Sequence, residues 1–210
     1  MRIKICGITQ PEQGREIAAA GATALGFICV SASPRYVTPE QIRAVTQQLP
    51  PDVNRIGVFA DAGLDDIVNT AIVGELSGLQ LHGKESPQFC QQLHQRLPQL
   101  EIIKALRIRQ TSDLTLTPAY EPVVDALLLD AYHPDQLGGT GQTLDWSALK
   151  TFRPAKPWFL AGGLNPDNIQ TALTQLKPDG IDLSSGVEHA PGDKDLEKVQ
   201  QLFAQLRDRI

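Results

Sequence analysis

The amino-acid sequence predicts an α/β fold: one domain over residues 1–210, closed as a (β/α)8 TIM barrel. Three observations carry the expectation. Short apolar runs return at intervals of about 20 to 30 residues along the chain. Segments with helical apolar spacing separate most of them, and that alternation favours parallel strands joined by right-handed crossovers. A length of 210 residues, 41% hydrophobic and 20% charged, suits one sizeable core and is short for two typical domains. Spread over eight units, that length fits a compact barrel better than an open doubly wound sheet.

The elements follow in order. Strands are expected near 2–6, 24–30, 54–60, 77–81, 101–106, 123–130, 157–161 and 180–184. Helical spacing covers Pro11 to Ala20, Pro39 to Leu49, Leu64 to Val73, Pro87 to Leu97, Pro166 to Leu176 and Asp195 to Leu206. Thr38-Pro39, Ser86-Pro87 and Asn165-Pro166 each place a capping residue before a proline at the first helical position. Between strands five and six, Gln110 to Pro122 has threonines and two prolines but little apolar periodicity, so a loop or short turn is expected in place of a helix. The sixth helix, after Asp145-Trp146-Ser147, also looks short.

Composition narrows the function classes. A formal charge of −5 with no basic run longer than two residues argues against a nucleic-acid binder, which needs a concentrated basic face. An acidic chain can still hold a small anion on backbone amides or one or two arginines. No apolar stretch approaches a membrane span, and Met1-Arg2-Ile3-Lys4-Ile5-Cys6 is too short and polar for a signal segment. Cys6, Cys29 and Cys90 form an odd set without a C-x-x-C pair, which argues against disulfides and zinc. The expectation is a soluble cytoplasmic protein with reduced thiols, needing no metal or cofactor, and monomeric by default.

In a barrel of this kind the carboxyl ends of all strands open onto one rim. Cys6 ends the first apolar run and Asp130 ends the sixth, so a thiol and a carboxyl separated widely in sequence would face one substrate. That pair suggests proton transfer. The loops after strands seven and eight are Gly162-Gly163-Leu164-Asn165 and Ser184-Ser185-Gly186-Val187, where phosphate groups often rest on backbone N–H groups. Glycine lets the backbone come close, and Ser184 or Ser185 adds hydroxyl donors. There is no P-loop, and Gly138-Gly139-Thr140-Gly141 lacks dinucleotide-fingerprint spacing, so the expected ligand is a small phosphorylated molecule and not a nucleotide.

Lys4-Ile5-Cys6-Gly7-Ile8-Thr9, Ser33-Pro34-Arg35-Tyr36, Gly57-Val58-Phe59, Gln80-Leu81-His82-Gly83, Leu129-Asp130, Gly138-Gly139-Thr140-Gly141, Gly162-Gly163-Leu164-Asn165 and Asp182-Leu183-Ser184-Ser185-Gly186-Val187-Glu188 together resemble the phosphoribosylanthranilate isomerase family. The resemblance runs in order through the whole chain, and its specificity lies in the combination. It implies an Amadori rearrangement of N-(5′-phosphoribosyl)anthranilate to 1-(2-carboxyphenylamino)-1-deoxyribulose 5-phosphate, a step of tryptophan synthesis, and a barrel without a regular fifth helix.

Carried onto this chain, the resemblance implies that Asp130 is the general acid at the ring oxygen and Cys6 the general base at C2′. Arg35 is then the partner of the anthranilate carboxylate, since a guanidinium holds a carboxylate bidentately. Asp182 is expected at a ribose hydroxyl, Gln80 in the pocket lining, and Gly162, Gly163, Ser184, Ser185 and Gly186 at the phosphate. Asp130 must keep its proton near neutral pH, while a helix terminus or cation should lower the pKa of Cys6. Cys29 and Cys90 are expected to be structural, and His82 is as well explained by structure as by function. Two other readings stand beside this one: a related aminoaldose isomerase, whose paired aspartates Cys6 speaks against, and a non-catalytic phosphate-binding barrel, which has no need of an acid and a base.

Overall fold

Eight parallel strands hydrogen-bond in sequence order, and the eighth returns to the first: β1 (Arg2–Cys6), β2 (Ala24–Ile28), β3 (Asn54–Phe59), β4 (Gly78–Leu81), β5 (Glu101–Ile108), β6 (Ala126–Ala131), β7 (Trp158–Leu160) and β8 (Gly180–Leu183). Closure runs through the β1–β8 register, which pairs Lys4 with Asp182. The structure is a computed structural model that describes residues 1–131 and 146–207. Gly138-Gly139-Thr140-Gly141 lies outside the described residues, as do His133 and Asp145.

Alternation along the strands divides the apolar residues into two cores. Ile3, Ile5, Leu25, Phe27, Leu79, Leu81, Leu127 and Leu129 belong to the large layer between the barrel and its helices, while Ala24, Ile56, Ile103, Ala105, Ala126, Leu128, Phe159 and Ala161 fill the barrel itself. At the amino-terminal end of the barrel Arg2 donates to Glu101 at 2.8 Å, its guanidinium 4.8 Å above the Phe159 ring. That end is plugged by structure, leaving the carboxyl ends for chemistry.

Helices α1 (Pro11–Ala20), α2 (Pro39–Thr46), α3 (Leu64–Val73) and α4 (Pro87–Arg96) begin where the sequence expects. Thr38 forms a capping box with Gln41, and Ser86 caps Phe89. The Asn165-Pro166 signal acts as a cap: the Asn165 side chain accepts from the Asp167 and Asn168 N–H groups and its carbonyl from Ile169, so this turn leads into the helix Ile169–Gln175, which starts later than the sequence suggests. After β5 come two 3-10 turns, Thr111–Leu116 and Glu121–Val123, around the four-residue α5 (Thr117–Tyr120). After β6 the described part is one 3-10 turn, Trp146–Leu149. With Ile169–Gln175 as α6, the final helix is α7 (Leu196–Leu206), capped by Asp195.

A small antiparallel pair, β9 (Glu188–Ala190) and β10 (Asp193–Lys194), was not expected from the sequence. It is tied back to the mouth of the barrel by Lys194, whose ammonium donates to the Cys6 carbonyl at 2.5 Å.

Candidate active site

Every site residue expected from the sequence borders one cavity of about 490 Å³ at the carboxyl ends of the strands. Cys6 at the end of β1 and Asp130 near the end of β6 stand apart on the ring, with β7 and β8 between them on the shorter side. The residue on β2 beside Cys6 is Gly26, and a Cβ built there would lie 2.6 Å from the Cys6 sulfur. A glycine at that register position is therefore what gives the thiol its room.

Cys6 is 5% exposed. Burial pushes its thiol up, against the pull of Lys4 and Lys194, and Asp182 adds to the rise. The sequence expectation that a nearby cation should set a lowered value is thus corrected: the cations are present, but desolvation in the barrel mouth outweighs them. Lys4, fully buried, donates to Asp182 Oδ1 at 2.9 Å and shares the inner face of β1 with Cys6, two positions on. Burial opposes its charge, yet Asp182 and Cys6 hold the ammonium above the ordinary lysine range. Asp182 is pushed up, chiefly by burial and with a contribution from Asp130.

Across the mouth, His82 Nε2 lies 3.2 Å from Asp130 Oδ2, and the Gln80 amide nitrogen lies 3.0 Å from His82 Nδ1. With that amide as donor, His82 carries its proton on Nε2 and donates to Asp130 Oδ2. Gln80 Oε1 is buried without a hydrogen-bond partner, although the residue borders the cavity. A buried acceptor in that state costs stability until something donates to it.

Arg35 borders the cavity with its guanidinium already held. Its Nε donates to Glu188 Oε1 at 3.0 Å and its Nη2 to Oε2 at 2.7 Å. Lys194 donates to the same carboxylate at 2.7 Å. Burial opposes the Glu188 charge, but Arg35 and Lys194 hold its carboxyl below the usual range. The link from Arg35 through Glu188 and Lys194 to the Cys6 carbonyl joins the expected carboxylate partner to the expected base.

The anion loops take the shape their glycines allow. Gly162 and Gly163 have φ of 89° and 64°, two successive residues in the left-handed region that side chains rarely adopt. A Cβ on Gly186 would collide with the Leu164 carbonyl, so glycine is what allows the loops after β7 and β8 to touch. The Ser184 hydroxyl donates to the Cys6 carbonyl at 3.0 Å and in this arrangement serves β1. Cys29 and Cys90 thiols are pushed up to about 12 and about 11, chiefly by burial. Among the described residues, no group of three His, Cys, Asp or Glu could hold a metal ion, and no helix is long and apolar enough to cross a membrane.

His82, Lys4, Lys194 and Glu188 are the site residues that the sequence reading did not assign. For Lys4 a signal existed, since it precedes Cys6 by two positions and must face the same side of β1. His82 stands in the same alternation with Gln80, just beyond β4. Glu188 and Lys194 act through a hairpin for which the sequence carries no comparable signal.

The fold and this mouth define a class: single-barrel (β/α)8 enzymes with their site at the carboxyl ends of the strands. A family model for N-(5'phosphoribosyl)anthranilate (PRA) isomerase matches residues 3–205. An N-(5'-phosphoribosyl)anthranilate isomerase of Acaryochloris marina is 61% identical, with 100% of each chain covered. The phosphoribosyl anthranilate isomerase of Thermus thermophilus superposes with a TM-score of 0.89 at 35% identity, covering 99% of each chain. A second solved isomerase, in complex with reduced 1-(o-carboxyphenylamino)-1-deoxyribulose 5-phosphate, matches with a TM-score of 0.85 at 32% identity and 99% coverage of each chain. The chain belongs to the phosphoribosylanthranilate isomerase family, and its activity is the isomerisation of phosphoribosylanthranilate in tryptophan biosynthesis. Family membership favours neither the binding-barrel reading nor the related-aminoaldose reading.

Proposed function

We propose that the isomerisation proceeds by general acid–base catalysis, with Asp130 as acid and Cys6 as base on one phosphorylated aminoaldose. The observation that carries the proposal is the meeting of both groups in a single cavity whose rim also holds Arg35, Asp182 and the two glycine-bearing loops. Asp130 gives its proton to the furanose ring oxygen, and the ring opens to a Schiff base. The Cys6 thiolate then removes the proton from C2′, the electron pair moves into the C1′–C2′ bond, and the resulting enolamine becomes the ketone.

Substrate positioning follows from what each side chain has left to offer. The Arg35 guanidinium, braced by Glu188, presents its remaining N–H groups to the anthranilate carboxylate. Asp182 accepts from a ribose hydroxyl, and the unpartnered Gln80 Oε1 accepts from a substrate O–H or N–H group. The phosphate rests against the backbone at Gly162, Gly163 and Gly186 and against Ser185, with Ser184 fixing that loop to β1. His82 holds Asp130 in place and, donating from Nε2, stabilises the carboxylate left after proton transfer.

The free state of all three cysteines supports a reducing, cytoplasmic setting. A monomer is inferred because, among the described residues, the large exposed apolar ones are Tyr36, Ile72 and Leu116, which lie on separate segments; a dimer in sedimentation would overturn it. The test of the acid–base assignment is fluorescence-monitored turnover of freshly generated phosphoribosylanthranilate. Cys6→Ser and Asp130→Asn are expected to fold and to lose activity by about 10²- to 10⁴-fold, the usual worth of a positioned acid or base. Either folded variant turning over at the wild-type rate would remove that residue from the mechanism.

A further inference from the structure

Lys4, Lys104 and Lys194 are all almost wholly buried, and two of them have evident structural duties. Lys104 donates to the Leu81 and Gly83 carbonyls and to Glu85 at 3.1, 2.8 and 2.7 Å. Lys194 clamps the Cys6 and Ser184 carbonyls to Glu188. Lys4 is different. It stands inside the barrel, paired in register with Asp182, its ammonium meets Asp182 Oδ1 at 2.9 Å, and it lies on the same face of β1 as Cys6, two positions away. Burying an ion pair at that position costs solvation that an apolar pair of similar volume would not, so stability alone is a weak reason for it.

We propose that Lys4 is a positioning residue for the isomerisation: its ammonium, held by Asp182 on the face of β1 that also carries Cys6, stabilises the Cys6 thiolate, and Asp182 moderates how much of that charge Cys6 receives. This rests on Cys6 being the base. The groups around the thiol make the assignment specific. Lys4 on β1 and Lys194 on β10 favour its charged form, while Asp182 on β8 opposes it. Cys29, after β2, is coupled to Cys6 but is itself held neutral by burial. Lys194 is largely committed to Glu188, which also binds Arg35. Gly26, facing the sulfur from β2, brings no charge. Lys4 is thus the cation with the larger pull on the thiol, and Asp182, the expected partner of a ribose hydroxyl, is the anion that shares it.

The arrangement predicts shifts of opposite sign. Alkylation of Cys6 by iodoacetamide, followed on the Cys6 peptide by mass spectrometry across pH, reads the thiolate without turnover. At pH 7.5 Lys4→Met is expected to slow it about tenfold or more, the scale set by one neighbouring opposite charge. Lys4→Arg should retain most of the rate, and Asp182→Asn should raise it.

Should Lys4→Met fold poorly because Asp182 is left unpaired, Lys4→Met/Asp182→Asn, which removes both charges, must still alkylate more slowly than Asp182→Asn alone. Equal rates in that pair, or single-variant curves that coincide with wild type or shift in the same direction, would overturn the role of Lys4. Those results with an inactive Cys6→Ser would leave the base assignment intact. An active Cys6→Ser would instead remove the base and this role with it, whatever the alkylation curves show.

Discussion

Cys6 shows how a single position balances opposing terms. Its sulfur is buried, and the thiolate that the proposed mechanism asks of it is disfavoured by burial and favoured by Lys4 and Lys194. Because the net direction is upward, iodoacetamide alkylation of Cys6 should rise with pH through and beyond the ordinary thiol range near 8.5. A profile already flat at neutral pH would contradict this. Gly26→Ala places a methyl 2.6 Å from the sulfur, and overpacking of that kind costs about 1–3 kcal/mol. The expected result is a lower melting temperature and a larger fall in kcat than change in KM, read from steady-state kinetics. Cys6 and Asp130 were legible in the sequence because each closes an apolar run, and strand ends share a rim. The bracing of Arg35 by Glu188 was not, because it joins residues 153 positions apart through a hairpin with no apolar periodicity.

The elements most clearly written in the sequence are those with local chemistry of their own. Thr38 and Ser86 cap α2 and α4 as expected, and the irregular segment after β5 follows from Gln110 to Pro122 lacking a helical stripe. Asn165 likewise caps the turn that leads into α6, though the helix itself begins only at Ile169. The hairpin β9–β10 is held largely by side chains that reach outside it, so its own sequence says little. Two expectations belong at this scale. Lys104 and Glu85, each 2% exposed and 2.7 Å apart, fix the loop after β4, where Glu85 Oε1 also accepts from the Asp61 and Gly83 N–H groups. Lys104→Met should cost about 3–5 kcal/mol in denaturant unfolding, as for other buried pairs that lose one partner; a loss under 1 kcal/mol would contradict that estimate. Glu188 keeps its charge through Arg35 and Lys194, so its stabilisation is full above the ordinary glutamate value of about 4.3 and is lost as pH falls through its lower folded value. Urea unfolding of Glu188→Gln should therefore depend less on pH in that acid window than wild type does.

At the scale of the whole molecule, closure of the barrel is what turns these separate strand ends into one site. Parallel register brings Lys4 beside Asp182 and sets β1 and β6 around a common mouth, while Arg2, Glu101 and Phe159 close the opposite end. The alternation of apolar runs made this architecture legible, and family membership fixes the reaction; the charged lining became visible only when the strands were closed into a ring. The most direct test is a crystal structure of this enzyme with reduced 1-(2-carboxyphenylamino)-1-deoxyribulose 5-phosphate. The account predicts the Cys6 sulfur within about 3–3.5 Å of C2′, the separation of a near-attack arrangement, with Asp130 at the oxygen released from the ring, the carboxylate on Arg35 and the phosphate at Gly162, Gly163 and Gly186. A ligand bound with its phosphate on those loops but with C2′ out of reach of Cys6, or with Asp130 turned away from that oxygen, would contradict it.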